Sequence, residues 1–118
     1  MTGGVSMDGR VLVGVSNDAG GEVSGDTVFR FHQIDHMIWA EYQGGDIRRG
    51  YLVGTSDGAT LEFRYVHLGI DGRTASGRSV DRVEVLDGGR VRLHERWRWE
   101  SREGSGTSVL EERDGTVG

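Results

Sequence analysis

The chain alternates between runs rich in β-branched and aromatic residues and short clusters of Gly, Asp, Asn and Ser. This alternation is the feature that most narrowly limits its fold. Many clusters contain Asp-Gly or Gly-Gly pairs, which supply the positive φ angles that tight hairpin turns require. Connections this short cannot hold crossover helices, so consecutive strands are expected to pair antiparallel. The turn clusters are Asn17–Gly21, Ile34–His36, Gln43–Asp46, Thr55–Ala59, Leu68–Gly72, Asp87–Gly89 and Glu103–Gly106.

Seven turns of this kind predict eight strands. No window shows a sustained apolar period of 3.6 residues, so no long amphipathic helix is expected. Turns of near-equal length favour an eight-stranded up-and-down barrel of the calycin type (lipocalin- or avidin-like) over a β-sandwich, because Greek-key sandwiches need some long crossing connections. The predicted strands are Arg10–Ser16, Glu22–Gln33, Met37–Tyr42, Ile47–Gly54, Thr60–His67, Arg73–Leu86, Arg90–Glu100 and Thr107–Arg113.

Length and composition set limits on the domain count and on the chemistry. A chain of 118 residues is the size of one domain, predicted over residues 8–118 after a disordered extension over residues 1–7. The absence of Cys excludes disulfides and thiolate chemistry, and the absence of Lys excludes a Schiff-base mechanism. A net charge of −5 gives no general attraction to nucleic acid.

The first residues lack the basic start and apolar core of a signal peptide, and no apolar run reaches the length of a membrane span. The expectation is therefore a soluble cytoplasmic protein that binds neither membranes nor nucleic acid.

The alternation of side chains along each strand sorts them into two faces. In the strand Arg90–Glu100, one face carries several Arg residues and must meet water. The opposite face is expected to line the interior, and the same reasoning places apolar residues of two other strands inward. The strand around Tyr51 is ambiguous, since both of its faces mix apolar and polar residues. The residues predicted to face inward are Val91, Leu93, Glu95, Trp97, Trp99, Leu61, Phe63, Tyr65, His67, Phe29 and Phe31.

Glu95 is the anomaly, because it places a carboxyl group between Leu93 and Trp97 on an apolar face. Burying an unpaired carboxylate costs several kcal/mol, or raises its pKa until the group is neutral. It therefore needs a partner. In one interpretation Glu95 is the polar anchor or acid/base group of an aromatic pocket, and in the other it is half of a buried pair that fixes the strand register. The candidate partners are Arg78, Arg49, Tyr65, Tyr51 and His67.

Two short motifs resemble catalytic motifs, but neither has the structural context that the chemistry requires. The segment 54–58, GTSDG, has the letters of a nucleophile elbow, but a strand rather than a helix is expected to follow it. His94-Glu95 lacks the second His of a zincin and lies on a predicted strand. No Gly-rich stretch lies between a predicted strand and a predicted helix, so the sequence does not indicate a phosphate-binding loop or a dinucleotide-binding fold. We therefore predict neither a metal nor a cofactor.

The runs GGDIRRGYLVG, LEFRYVHL, GRVRLHERWRW and SGTSVLEE resemble a group of small bacterial proteins of similar length. Those proteins often carry the label N-acetylglutamate synthase. The resemblance implies a compact β fold and transfers no catalytic residue. Acetyl transfer from coenzyme A normally uses a larger α/β domain with a pyrophosphate loop at a helix N-terminus, for which this chain has no room, so the label is judged unsupported.

Three functions follow from this architecture. The first is a barrel that binds a small, partly apolar molecule, with Glu95 as the anchor and Arg78 or Arg49 as the counter-charge. The second is a small cofactor-free enzyme, such as an isomerase, cyclase or hydrolase, in which Glu95 is the catalytic acid/base. The third is an interaction module with a packed core, and a homodimer is compatible with all three. The predicted ligand-binding residues are Phe29, Phe31, Tyr51, Phe63, Tyr65, His67, Arg78, Glu95, Trp97 and Trp99.

Overall fold

The computed structural model describes residues 4–113 and confirms the predicted closed barrel. Eight antiparallel strands each pair with the next, and the last pairs with the first, so that the sheet has no free edge. A 3₁₀ turn at Asp87–Gly89 connects the sixth strand to the seventh. The strands are β1 (Val11–Asn17), β2 (Val28–Ile34), β3 (Met37–Gly44), β4 (Ile47–Ser56), β5 (Thr60–Gly69), β6 (Thr74–Val85), β7 (Val91–Trp99) and β8 (Ser105–Glu112).

The largest departure from the predicted strands lies between β1 and β2. The strand predicted from Glu22 begins only at Val28, and residues 18–27 form a loop across one end of the barrel. Ser24 and Thr27 close a turn inside this loop, because the Thr27 amide donates to the Ser24 carbonyl and the Thr27 hydroxyl accepts from the Ser24 amide, both at 3.0 Å. These local bonds compete with strand pairing. We call residues 18–27 the cover loop.

The opposite end of the barrel is filled by side chains. Met7 is fully buried there, and its amide donates to Gln33 Oε1 at 2.8 Å. Of the extension predicted over residues 1–7, residues 1–3 lie outside the described residues, whereas Met7 belongs to the core. Among residues 4–113, Met7 therefore helps to fill this end of the barrel. The other fully buried apolar side chains of this half include Leu12, Phe31, Ile38, Leu61, Val91, Leu93 and Leu110.

Small residues face large aromatic ones inside the half beneath the cover loop. A Cβ atom at Gly50 would collide with the ring of Tyr42, and one at Gly77 would collide with the phenol group of Tyr65. Both glycines lie on inward positions of their strands. Because they have no side chain, they leave room for a neighbouring aromatic ring. This half of the barrel is therefore walled by aromatic rings. Within residues 4–113, no helix is long and apolar enough to cross a membrane.

Candidate functional site

A cavity of about 40 Å³ lies inside the barrel beneath the cover loop. A single buried water molecule needs a cavity of roughly 10–15 Å³, so this space is small for a ligand site. Its walls are mostly aromatic, with a few polar groups among them. The aromatic lining consists of Phe29, Tyr42, Phe63, Tyr65, Trp97 and Trp99. The polar lining consists of Asn17, Glu22, His67, Ser79 and Glu95.

Most residues predicted to form a ligand site lie together at this cavity. Seven of them line it, namely Phe29, Phe63, Tyr65, His67, Glu95, Trp97 and Trp99. Phe31 also points inward, as predicted, but it is 1% exposed and packs in the filled half of the barrel rather than on the cavity.

The placement of Tyr51 and Arg78 at the site is wrong. Tyr51 is 52% exposed on the outer wall, because its neighbour Leu52 takes the inward position on β4. Arg78 also lies on the outer wall, where its guanidinium lies 3.7 Å from the Glu62 carboxylate. Arg49 is likewise exposed. None of these residues supplies a counter-charge to Glu95.

The partner of Glu95 is a second carboxyl group. Asp81 on β6 pairs directly across the sheet with Glu95 on β7, and both side chains are buried, at 0% and 7% exposure. The Ser108 hydroxyl donates to Glu95 Oε1 at 2.7 Å, and the Ser79 hydroxyl donates to Asp81 Oδ1. A row of polar side chains thus crosses β6, β7 and β8 in the middle of the barrel.

The surroundings of Asp81 favour its protonated form. Burial, and after it the negative charge of Glu95, raises the pKa of Asp81 well above its ordinary value. Asp81 Oδ2 is buried, and no donor among the described residues reaches it. Its cross-strand neighbour is Glu95, and one carboxyl group can donate to another only when one of them is protonated. The raised pKa therefore favours the protonated form of Asp81.

A second polar chain connects the cavity to the cover loop. The Tyr42 hydroxyl lies 3.0 Å from His67 Nδ1, and His67 Nε2 lies 2.7 Å from Glu22 Oε1. With a neutral His67 protonated on Nε2, Tyr42 donates to the ring and the ring donates to Glu22. Burial first, then the nearby Tyr65 and Glu95, raises the pKa of Tyr42, so its hydroxyl stays a neutral donor.

Glu22 fixes the cover loop over the cavity. Its second carboxylate oxygen accepts from Arg102 Nη2 at 3.1 Å. Partial burial alone would raise the pKa of Glu22, but the hydrogen bonds from His67 and Arg102 outweigh burial and lower it. Two indole groups hold the same region from below, because Trp97 Nε1 donates to Asn17 Oδ1 at 2.9 Å and Trp99 Nε1 donates to the Gly20 carbonyl at 3.1 Å.

We expect that replacing Glu22 by Gln loosens the cover loop. The variant loses the charge-assisted bonds to His67 and Arg102, each worth about 1.5–3 kcal/mol at most and less at a solvent-exposed mouth. Hydrogen exchange of residues 18–27 should therefore quicken by about tenfold. Because the pKa of Glu22 is lowered by folding, its stabilising contribution is present above the ordinary value of 4.5 and is lost as the pH falls below it.

A matched control lies on the outer wall, where His32 Nε2 and Glu41 Oε1 form a pair of the same kind at 2.7 Å. The substitution Glu41→Gln should leave exchange in the cover loop unchanged. Equal exchange in the Glu22→Gln variant and the parent protein would contradict the role of Glu22.

Sequence reasoning missed Asp81 and the cover loop. Asp81 shares the inward face of β6 with Ala75, Gly77 and Ser79, and small residues on a face give no apolar signal. The alternation around Arg78 could still have placed that residue and Asp81 on opposite faces. Within residues 4–113, no group of three or more His, Cys, Asp or Glu residues could hold a metal ion.

Comparison with known proteins identifies the fold family. A family model described as avidin-like protein matches residues 5–113. Searches of curated proteins and of solved structures find no significant match. The family match covers nearly the whole barrel and neither supports nor refutes the N-acetylglutamate synthase label. The match and the closed eight-stranded architecture agree, and the chain belongs to the avidin-like protein family.

Proposed function

We propose that the protein binds a small molecule in the cavity beneath the cover loop. The observation that carries this proposal is the difference between the two halves of the barrel. One half is filled by aliphatic and Phe side chains, whereas the other is lined by aromatic rings and retains a partly open space with a carboxyl group facing it. Barrels of eight strands are just wide enough to hold one small ligand, and avidin-like proteins are built on such barrels.

The size of the cavity limits the ligand. Sites for drug-sized ligands usually measure about 300–1,000 Å³, whereas this one measures about 40 Å³. With the cover loop in place, the enclosed part of the ligand therefore has only a few non-hydrogen atoms. A larger ligand would need the cover loop to lift, which breaks the bonds of Gly20 and Glu22 described above.

The three tryptophans can be used as reporters to test this proposal, because they lie in different places. Trp97 and Trp99 line the cavity, while Trp39 stacks on His32 on the outer wall, with ring centroids 5.2 Å apart. Titration with a library of small water-soluble fragments should shift the indole N–H resonances of Trp97 and Trp99 and leave that of Trp39 in place. Shifts of all three indole resonances, or of the Trp39 resonance alone, would indicate binding elsewhere and contradict the proposal.

A second candidate function is acid/base catalysis on the bound molecule. Two carboxyl groups that share one proton are a common arrangement for proton transfer, and Glu95 faces the cavity while Asp81 lies behind it. Fragments that bind would be incubated with the protein and examined for turnover. Catalysis by this pair should show a pH–rate profile whose apparent pKa disappears in Glu95→Gln. Turnover that persists in that variant would exclude Glu95 as the catalytic acid/base.

A homodimer stays a prediction. The outer wall offers exposed apolar side chains for such a contact on adjoining strands, with Tyr51 on β4 opposite Val66 on β5 and Val53 nearby on β4.

A further inference from the structure

We propose that the ligand of this cavity is a small organic cation with N–H groups, an alkylammonium or guanidinium, held between the Asp81–Glu95 pair and the aromatic walls. The inference rests on the proposed binding function and assigns the ligand its chemical class. Four observations carry it: the charge of the cavity, the unfilled acceptor, the arrangement of the rings and the size of the space.

The charge of the cavity is negative and lacks a protein counter-charge. At the mouth, Glu22 is compensated by Arg102 at 3.1 Å and also accepts from His67. Deeper in the barrel, the carboxyl pair has only hydroxyl partners among the described residues, Ser79 and Ser108. The arginines of the two strands that carry the pair face outward, where they cannot reach it: Arg78, Arg82, Arg92, Arg96 and Arg98.

The pair also has unused capacity to accept hydrogen bonds. Asp81 Oδ2 is fully buried without a donor from the described residues, but Asp81 lies behind Glu95, so the carboxyl group of the pair that faces the cavity is Glu95. Glu95 is only 7% exposed, and it borders the cavity. An N–H group of a cation in the cavity can therefore donate to Glu95. The positive charge then makes the shared proton easier to lose, and the proton passes to water.

The rings that line the cavity lie at several angles to one another. The ring of Tyr65 is inclined by 66° to Phe63 and by 63° to Trp99, and Trp97 is inclined by 56° to Trp99, whereas Phe29 stacks on Tyr42 and Tyr65 stacks on His67. The inclined rings can direct a negative face toward a cation in the cavity. The structure already contains one such contact at the mouth, because the Arg102 guanidinium lies 4.2 Å from the centroid of the Trp99 ring.

Size and charge together exclude the other ligand classes of similar dimensions. The space of about 40 Å³ limits the part of a ligand inside it to a few non-hydrogen atoms, and methylammonium has two and guanidinium four. A small anion would meet the carboxyl pair with no free cationic donor in the lining. A neutral amide could donate to Glu95, but it would leave the negative charge uncompensated.

The decisive comparison is between guanidinium and urea, which have nearly the same shape and differ in charge. Each would be titrated at millimolar concentrations and constant ionic strength, alongside methylammonium and acetate, with the Trp97 and Trp99 indole resonances as the readout. We expect guanidinium or methylammonium to bind about tenfold or more tightly than urea, and acetate not to bind. Urea or acetate binding as tightly as the cations would overturn the inference and leave the binding function standing.

Proton release gives a second readout that a purely structural pair would not produce. Calorimetry in two buffers of different ionisation enthalpy should show release of up to about one proton for each cation bound. The variant Asp81→Asn keeps a donor toward Glu95 but has no proton to lose, so it should bind the cation without release. The same proton release from Asp81→Asn as from the parent would contradict the role of the pair.

Glu95→Gln should reduce the preference for guanidinium over urea to about one. The matched control is Glu62→Gln on the outer wall, which should keep the preference of the parent protein. If Glu95→Gln does not fold, the guanidinium-to-urea ratio of the parent protein still decides the inference. Binding of neutral fragments without any cation would overturn this inference alone, whereas no binding of any probe at the two indole groups would overturn the proposed function as well.

Discussion

Replacing Asp81 by Asn is expected to stabilise the protein at neutral pH and to flatten the dependence of its stability on pH. In the parent protein the Asp81 carboxyl group must stay protonated or leave a buried acceptor unpaired. Asn at this position can accept from Ser79 with its oxygen and donate to Glu95 with its nitrogen, without any titration. The gain should be about 1–3 kcal/mol, which is the usual cost of an unsatisfied buried polar group.

The sign of the pH dependence follows from the direction of the shift. The folded-state pKa of Asp81 is raised above its ordinary value of 3.8, so folding favours the protonated group. The contribution of Asp81 to stability is then fully present below about 3.8 and is lost as the pH rises toward the folded-state pKa. Thermal melts of the parent and variant at a series of pH values should nearly coincide in acid and separate as the pH rises.

The control for this experiment is Asp87→Asn, an exposed change in the turn between β6 and β7. It should leave the curve of stability against pH unchanged. A constant difference between Asp81→Asn and the parent at every pH would show that Asp81 does not titrate with folding and would contradict the shared proton.

Replacing Gly77 by Ala is expected to destabilise the barrel and disturb the cavity at once. The added Cβ would collide with the Arg98 carbonyl oxygen, which belongs to the paired strand β7, and with the Tyr65 phenol group. The backbone oxygen cannot move without breaking the β6–β7 ladder, and Tyr65 would be pushed into the space that it now borders. Overpacking of this kind typically costs about 1–3 kcal/mol. Thermal or denaturant unfolding measures this loss.

Gly25 in the cover loop offers the matched control. A Cβ there would have the Gly14 carbonyl oxygen as its nearest neighbour, at 3.7 Å, which is an ordinary contact. The change Gly25→Ala should therefore be neutral or stabilise the protein by less than about 1 kcal/mol through the unfolded chain. Equal unfolding free energies for the two Ala variants would mean that β6 and β7 can separate to admit a side chain at position 77.

The fold and most of the cavity lining could be predicted because they depend on local patterns. The turn clusters separate the strands, and alternation along β5 and β7 places Phe63, Tyr65, His67, Trp97 and Trp99 on one side of each strand. Both the turn clusters and the alternation depend on only a few consecutive residues. The structure accordingly confirms the number of strands, their order and the inward faces of both strands.

The contacts across strands could not be predicted, because they depend on register. Asp81 lies opposite Glu95 only for one alignment of β6 with β7, and a slip by one residue would send one of the two outward. The Arg, Tyr and His candidates for the partner of Glu95 followed the ordinary rule that a buried carboxylate needs a positive charge or a hydrogen-bond donor. The register instead brings Asp81 opposite Glu95, and the raised pKa of Asp81 favours its protonated form.

The pairing of β1 with β8 has a consequence for how the protein folds. The Arg10–Glu112 ion pair that accompanies this closure joins positions 102 residues apart. Hairpins between neighbouring strands can form early, whereas bringing such distant segments together costs chain entropy that only the finished ring repays. During synthesis, β1 has no partner on one side until β8 has been made. The nascent chain therefore exposes an unpaired strand edge for most of its elongation, and that interval is when it is most open to association with other chains.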